Sequence, residues 1–155
     1  MNVRRLATRS VETVQPTAEL RNVLDVLQNG DFRHVPVVDE DETIVGIVSY
    51  SDVAALASLT REFELGRDSF EALMGRPISD FLKTRFSEEG GMVTVAPEDS
   101  VERAAQLLIE HRLSALPVTH PDGWLSGIIS YIDILEGVLE VDMLRDVLAD
   151  TGPST

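Results

Sequence analysis

The strongest constraint on this chain is that it repeats itself. When the sequence is slid against itself, Pro16 falls on Pro97, Pro36 on Pro117, Gly46 on Gly127, Ser49 on Ser130, Tyr50 on Tyr131 and Asp52 on Asp133, each pair 81 positions apart. The register from Val14/Val95 to Asp52/Asp133 has no gap, and apolar positions coincide within it, as at Leu27/Leu108, Val37/Val118 and Ile47/Ile128. A fixed offset of this kind means two copies of one structural unit that bury their faces against each other. Either copy could hardly stand alone, because a chain of about 60 residues buries a small share of its surface.

Within each copy the local pattern is the same. Leu20, Val23, Leu24 and Leu27 recur at i, i+3, i+4 and i+7, and Val101, Ala104, Ala105 and Leu108 repeat that spacing, so each set marks the apolar face of a helix. Gly30, just past the first helix, suits a left-handed C-terminal cap. A short β-branched run with Pro36 near its start, Val35 to Val38, predicts a strand. The chain reverses at Asp39-Glu40-Asp41-Glu42, or at His120-Pro121-Asp122-Gly123, into return strands Ile44–Ser49 and Leu125–Ser130. Helices follow through Ala54–Leu59 and Ile134–Leu148, and Val11–Val14 and Met92–Val95 are expected as opening strands. The predicted fold is α/β in the α+β sense, two copies of a β-α-β-β-α unit. The first repeat is expected at 1–60 and the second at 77–140. Residues 61–76 are expected to connect them, and 141–155 to form a helix end and a disordered tail.

Upstream of each repeat, Val3-Arg4-Arg5-Leu6-Ala7 resembles Ile78-Ser79-Asp80-Phe81-Leu82, but at an offset of 75. Six residues have therefore been inserted between about Thr84 and Gly91, where Ser87-Glu88-Glu89-Gly90-Gly91 predicts a mobile loop.

Composition narrows the function. There is no cysteine, so disulfides, thiolate catalysis and thiolate metal sites are excluded. The formal charge of -14 repels phosphate backbones and anionic membranes, which argues against nucleic-acid or membrane partners. Apolar runs are too short to span a bilayer. The first ten residues lack the apolar stretch of a secretion signal, so a cytoplasmic location is expected. No catalytic residue emerges: the motif Gly46-Ile47-Val48-Ser49-Tyr50-Ser51-Asp52 is not a nucleophile elbow. His111 and His120 have no spacing that would bind a metal. Trp124 is expected to shield the turn between two strands.

A proline-valine strand followed by Gly-apolar-apolar-Ser-x-x-Asp occurs twice, at Gly46–Asp52 and Gly127–Asp133. This arrangement resembles a tandem pair of cystathionine-β-synthase (CBS) repeats, a Bateman module, over about Val3–Leu59 and Ile78–Leu139. The resemblance implies repeats packed sheet to sheet, two clefts for an adenosine-containing ligand (AMP, ADP, ATP or S-adenosylmethionine), no further cofactor, a homodimer and an effector protein that reads occupancy. It assigns the ribose hydroxyls to Asp52 and Asp133, the neighbourhood of the phosphate to Ser49 and Ser130, and the face of the base to Ile47 and Ile128. A carboxylate accepts both hydroxyls of a diol, and a hydroxyl at a helix N-terminus lies where anions are favoured.

The resemblance also adds Ser51, Arg33 and His34 to the Asp52 cleft, which is therefore expected to take a phosphorylated ligand better than the Asp133 cleft, where Ile132, Ser114 and Ala115 stand instead. Across the repeats it places Met92 and Ser114 at the Asp52 cleft, and Ser10 and Val11 at the Asp133 cleft. Glu88 and Glu89 lie close to the expected mouth of the first cleft, so either that loop points away or the ligand carries little negative charge.

Other readings stand beside these. Asp52 and Asp133 also suit helix caps, and Ser49 and Ser130 suit local backbone bonds. His34 also fits a partly buried structural ring. Leu135, Val138, Leu139, Val141, Leu144 and Leu148 give the last helix more apolar surface than a small core needs, which favours a ligand-free dimerisation module as the alternative function.

Overall fold

Each copy builds the same helix, hairpin and helix. In a computed structural model of the protein, which describes residues 1–30, 32–62, 66–86 and 92–150, the first unit comprises α2 (Leu20–Asn29), β1 (His34–Val38), β2 (Ile44–Ser49) and α3 (Tyr50–Glu62). The second comprises α6 (Val101–Glu110), β3 (Ala115–Thr119), β4 (Leu125–Ser130) and α7 (Tyr131–Asp150). Short helices α1 (Val3–Leu6) and α5 (Ile78–Phe86) precede the units, with α4 (Arg67–Met74) between them. The fold is α+β.

The helical spacing buries Leu20, Val23 and Leu27 in one core and Val101, Ala104, Leu107 and Leu108 in or beside the other. Removing each large aliphatic side chain from water stabilises by roughly 1.5–3 kcal/mol. The hairpins share one register: His34 lies opposite Ser49 and Val37 opposite Gly46, as Ala115 lies opposite Ser130 and Val118 opposite Gly127. Both turns place their last residue in the left-handed region, Glu42 at φ 60° and Gly123 at φ 90°. The two hairpins then meet through an antiparallel bridge between Thr43 and Trp124, which are equivalent positions of the two copies. Self-contact of equivalent positions is the mark of a two-fold axis. Trp124, expected to shield a turn, is 53% exposed beside that axis.

Three local expectations are corrected. The opening strands shrink to single parallel bridges, Val14 to Val37 and Val95 to Val118. Val14 donates to Pro36 O at 3.1 Å and accepts from Val38 N at 2.9 Å. The next ladder donor would be Pro16, or Pro97 in the second copy, and proline has no N–H to give. Gly30 caps α2 in an extended conformation (φ −100°, ψ 160°), not a left-handed one. A Cβ there would lie 2.2 Å from the Phe32 ring, so a side chain at this position would force that ring to move. Finally, the stretch 61–76 is more than a connection, since it contains α4, whose Met74 is buried in the first core.

The offset of 75 has a structural meaning. Ile78 of α5 belongs to the core of the first unit, whereas Val3 of α1 belongs to the core of the second. Their backbone anchors match: Val3 N donates to Asp99 O and Ile78 N to Ala18 O, both at 2.8 Å. The loop Ser87–Gly91, with Glu88 and Glu89, and the tail Thr151–Thr155 lie outside the described residues.

Candidate functional site

The repeated motif ends each return strand and starts a helix. In the second copy Ser130 N donates to Asp133 Oδ2 at 2.7 Å, Ser130 Oγ donates to the same oxygen at 2.8 Å, and Asp133 N donates to Ser130 Oγ at 3.2 Å. In the first, Ser49 N donates to Asp52 Oδ2 and Asp52 N donates to Ser49 Oγ, both at 3.1 Å. This is a reciprocal capping box, so the serine is the cap and the aspartate sits one turn in. The serines thus make the local backbone bonds expected of them and are themselves the caps, whereas the aspartates, expected as caps, accept the serine N–H from one turn in; these bonds do not exhaust them. Asp133 Oδ1 has no partner among the described residues, and Asp133 lines a hollow.

That hollow, about 240 Å³, is lined by Thr8, Val11, Phe32, Arg33, His34, Ile128, Ser130, Tyr131, Ile132 and Asp133. An acid and a hydroxyl from β4–α7, two basic side chains from the start of β1 and an apolar wall of Val11 and Ile128 thus face one space. Val11 stands where expected. Ser10 is exposed and does not line the hollow. Thr8 and Phe32 carried no signal in the sequence, and Tyr131, matched to Tyr50 by the repeat, was not expected at the site; Thr8 enters through backbone pairing with Ile128, donating to its O at 2.9 Å and accepting from its N at 3.0 Å.

Arg33 and His34 are placed differently from expectation: both line the Asp133 hollow and neither lines the Asp52 hollow, although the carboxylates of Asp52 and Asp133 both act on the His34 ring. The packing of the repeats brings the start of β1 to the motif of the second repeat. The expectation that the Asp52 cleft is the better phosphate site loses its basis with them.

Asp52 borders a larger hollow of about 420 Å³ whose walls are mainly apolar, among them Ile47, Val53, Leu56, Phe81 and Leu82. Leu56 stands where the second repeat has Gly137, against which Leu6 packs so closely that a Cβ would lie 2.7 Å from it. Ser49 and Ser51 do not line this hollow, and Met92 lies elsewhere, beside Thr43 and Ile44. Ser114 faces the seam, where His34 Nε2 and Ser114 Oγ are 2.8 Å apart. Burial pushes the His34 imidazole below its ordinary 6.5; the carboxylates of Asp52 and Asp133 oppose that shift and the Arg33 guanidinium adds to it. Among the described residues no group of three or more His, Asp or Glu side chains could hold a metal ion. No helix among them is long and apolar enough to cross a membrane.

The CBS-domain family model matches residues 3–58 and 77–140. The chain belongs to the CBS-domain family. As a CBS pair it is 29% identical over 147 residues to the chloroplastic CBS domain-containing protein CBSX1 of Arabidopsis thaliana, covering 88% of this chain and 62% of that one. It thus spans about three fifths of the length of that relative. Among solved structures, CBSX2 in complex with AMP is similar at 25% identity and a TM-score of 0.70, covering 91% of this CBS pair and 98% of that chain. The CBS domain pair of protein MJ0100, in complex with 5′-methylthioadenosine and S-adenosyl-L-methionine, shares the fold at 18% identity and a TM-score of 0.69, covering 88% and 94%.

Proposed function

We propose that this CBS pair is a non-enzymatic regulatory module that binds an adenosine-containing ligand between its repeats and passes its occupancy to a partner protein. One observation carries the reading: the Ser130–Asp133 corner, Arg33 and His34 converge on a single hollow with an apolar wall. Asp133 Oδ1 accepts from a ribose diol, Val11 and Ile128 cover a base, and Arg33 and His34 meet a phosphate. The AMP bound to CBSX2 supports the ligand class. The Asp52 hollow, apolar and without those bases, suits an adenosine ligand of little negative charge, such as adenosine or S-adenosylmethionine. Signalling requires that the ligand bind two arrangements of the repeats unequally.

Calorimetric titration with AMP, ADP, ATP and S-adenosylmethionine at fixed salt tests this. At least one ligand binds, and Asp133→Asn, which keeps an oxygen for Ser130 N–H, weakens AMP by roughly 1.5–3 kcal/mol, the range for a hydrogen bond to a charged group. Folded protein silent to all four ligands rejects the reading.

A second reading, self-association in the cytoplasm through the helices, is favoured by α7, where Leu135, Leu139 and Met143 are 55%, 61% and 68% exposed. Sedimentation across a concentration series separates the two, since a concentration-independent monomer excludes a stable homodimer.

A further inference from the structure

The seam between the repeats holds one ionisable ring. His34 lines the Asp133 hollow with one side and meets Ser114 Oγ at 2.8 Å with Nε2. The groups around it come from every neighbouring element: Asp52 from the first turn of α3, Asp133 from the first turn of α7, Arg33 beside it and Ser114 ahead of β3. Backbone bonds pin both strand starts, with Tyr50 N donating to Arg33 O at 3.0 Å and Tyr131 N to Ser114 O at 3.2 Å. The ring therefore sits in a fixed frame and cannot escape a charge placed in the hollow by swinging away with its strand.

In this frame two acids favour the imidazolium, while burial and Arg33 disfavour it, and the unliganded balance falls on the neutral side. An anion in the hollow would add to the acids and pair Arg33, removing one opponent and supplying one ally. We propose that His34 takes up a proton when a phosphate-bearing ligand enters the Asp133 hollow, so that occupancy of this cleft is tied to pH. This rests on the adenosine reading above and adds its regulation. The Asp52 hollow has no histidine in its lining, so a ligand confined to it binds without this linkage. The added proton also fixes the seam bond in one direction, His34 donating and Ser114 accepting, which places the consequence of occupancy at the contact between repeats.

The test is calorimetry of AMP at pH 6.5 in a series of buffers of differing ionisation enthalpy, with adenosine as the uncharged control and His34→Gln as the protein control. The wild type takes up a fraction of a proton with AMP beyond that seen in His34→Gln, and none with adenosine. Its AMP affinity rises as pH falls through the liganded titration, by at most about tenfold per pH unit for one proton. The variant still binds AMP, more weakly. A buffer dependence that is the same in wild type and His34→Gln overturns the proposal while leaving the ligand reading intact. No AMP binding at all overturns both. Should His34→Gln fail to fold, the wild-type difference between AMP and adenosine decides alone, corrected for the phosphate's own titration measured in ligand blanks.

Discussion

Gly46 and Gly127 occupy the same place in the repeated motif, yet adding a methyl group should injure one far more than the other. Neither has a positive φ, so the cost is steric. A Cβ on Gly127 lies 2.4 Å from Thr8 O and 3.2 Å from Thr8 C, whereas a Cβ on Gly46 meets Leu82 Cδ2 at 2.7 Å. Leu82 has rotatable side-chain bonds with which to yield. Thr8 can yield only by moving its backbone away from β4, at the expense of its two hydrogen bonds to Ile128. Those bonds contribute about 1 kcal/mol each, and overpacking adds about 1–3 kcal/mol. Gly127→Ala should therefore cost about 3–5 kcal/mol, and Gly46→Ala, with the overpacking component alone, about 1–3 kcal/mol. Urea unfolding followed by circular dichroism measures both. Because Thr8 lines the Asp133 hollow, Gly127→Ala also lowers AMP affinity, while Gly46→Ala leaves it near wild type. Equal costs for the two variants, or a larger one for Gly46→Ala, would refute the reasoning.

Glu42 holds a left-handed conformation that its counterpart Gly123 adopts freely. Glu42→Gly should stabilise by about 0.5–1 kcal/mol, the relief of about 1–2 kcal/mol of strain less the added freedom of the unfolded chain, as a higher urea midpoint will record. Ser130→Ala removes the cap of α7 and should cost about 1 kcal/mol in the same assay. His34 titrates below 6.5 in the folded chain, so below pH 6.5 the unfolded chain binds more protons. Its contribution to stability is thus full above pH 6.5 and declines as pH falls through 6.5 toward the folded value. The difference in unfolding free energy between wild type and His34→Gln should follow that course, and a flat difference would count against a buried neutral ring.

Most of the architecture could be read from the chain because a repeat constrains it twice. The helix spacing of Leu20–Leu27, the turn at Asp39–Glu42 and the motif at Gly46–Asp52 each had an independent copy to agree with. What escaped was set by tertiary geometry. The bridge at Val14 stops at one residue because the donor two positions on is a proline, and a pattern of apolar residues cannot register a missing hydrogen. Arg33 and His34 follow each other into β1 of the first repeat, which tied them to Asp52, and only the two-fold packing reveals that they face Asp133. Ser49, Asp52, Ser130 and Asp133 were legible as residues, but their reciprocal bonding as caps depends on where the helix starts, a boundary that sequence resolves poorly. Thr8 was invisible because it acts through its backbone.

The crossed anchoring of α1 and α5 bears on how such a chain arises. A lone repeat would present an empty socket and an orphan plug, and a second identical copy would satisfy both at once. Two separate copies of the repeat, related by a two-fold axis, would satisfy the same anchoring. Two identical subunits must carry the same residue at every position. A single chain is free of that restriction, and its repeats differ at equivalent positions: arginine against serine at 33 and 114, glutamate against glycine at 42 and 123, leucine against glycine at 56 and 137. Each mismatch makes one side of the pair chemically unlike the other, so that the two hollows present different walls to whatever enters them.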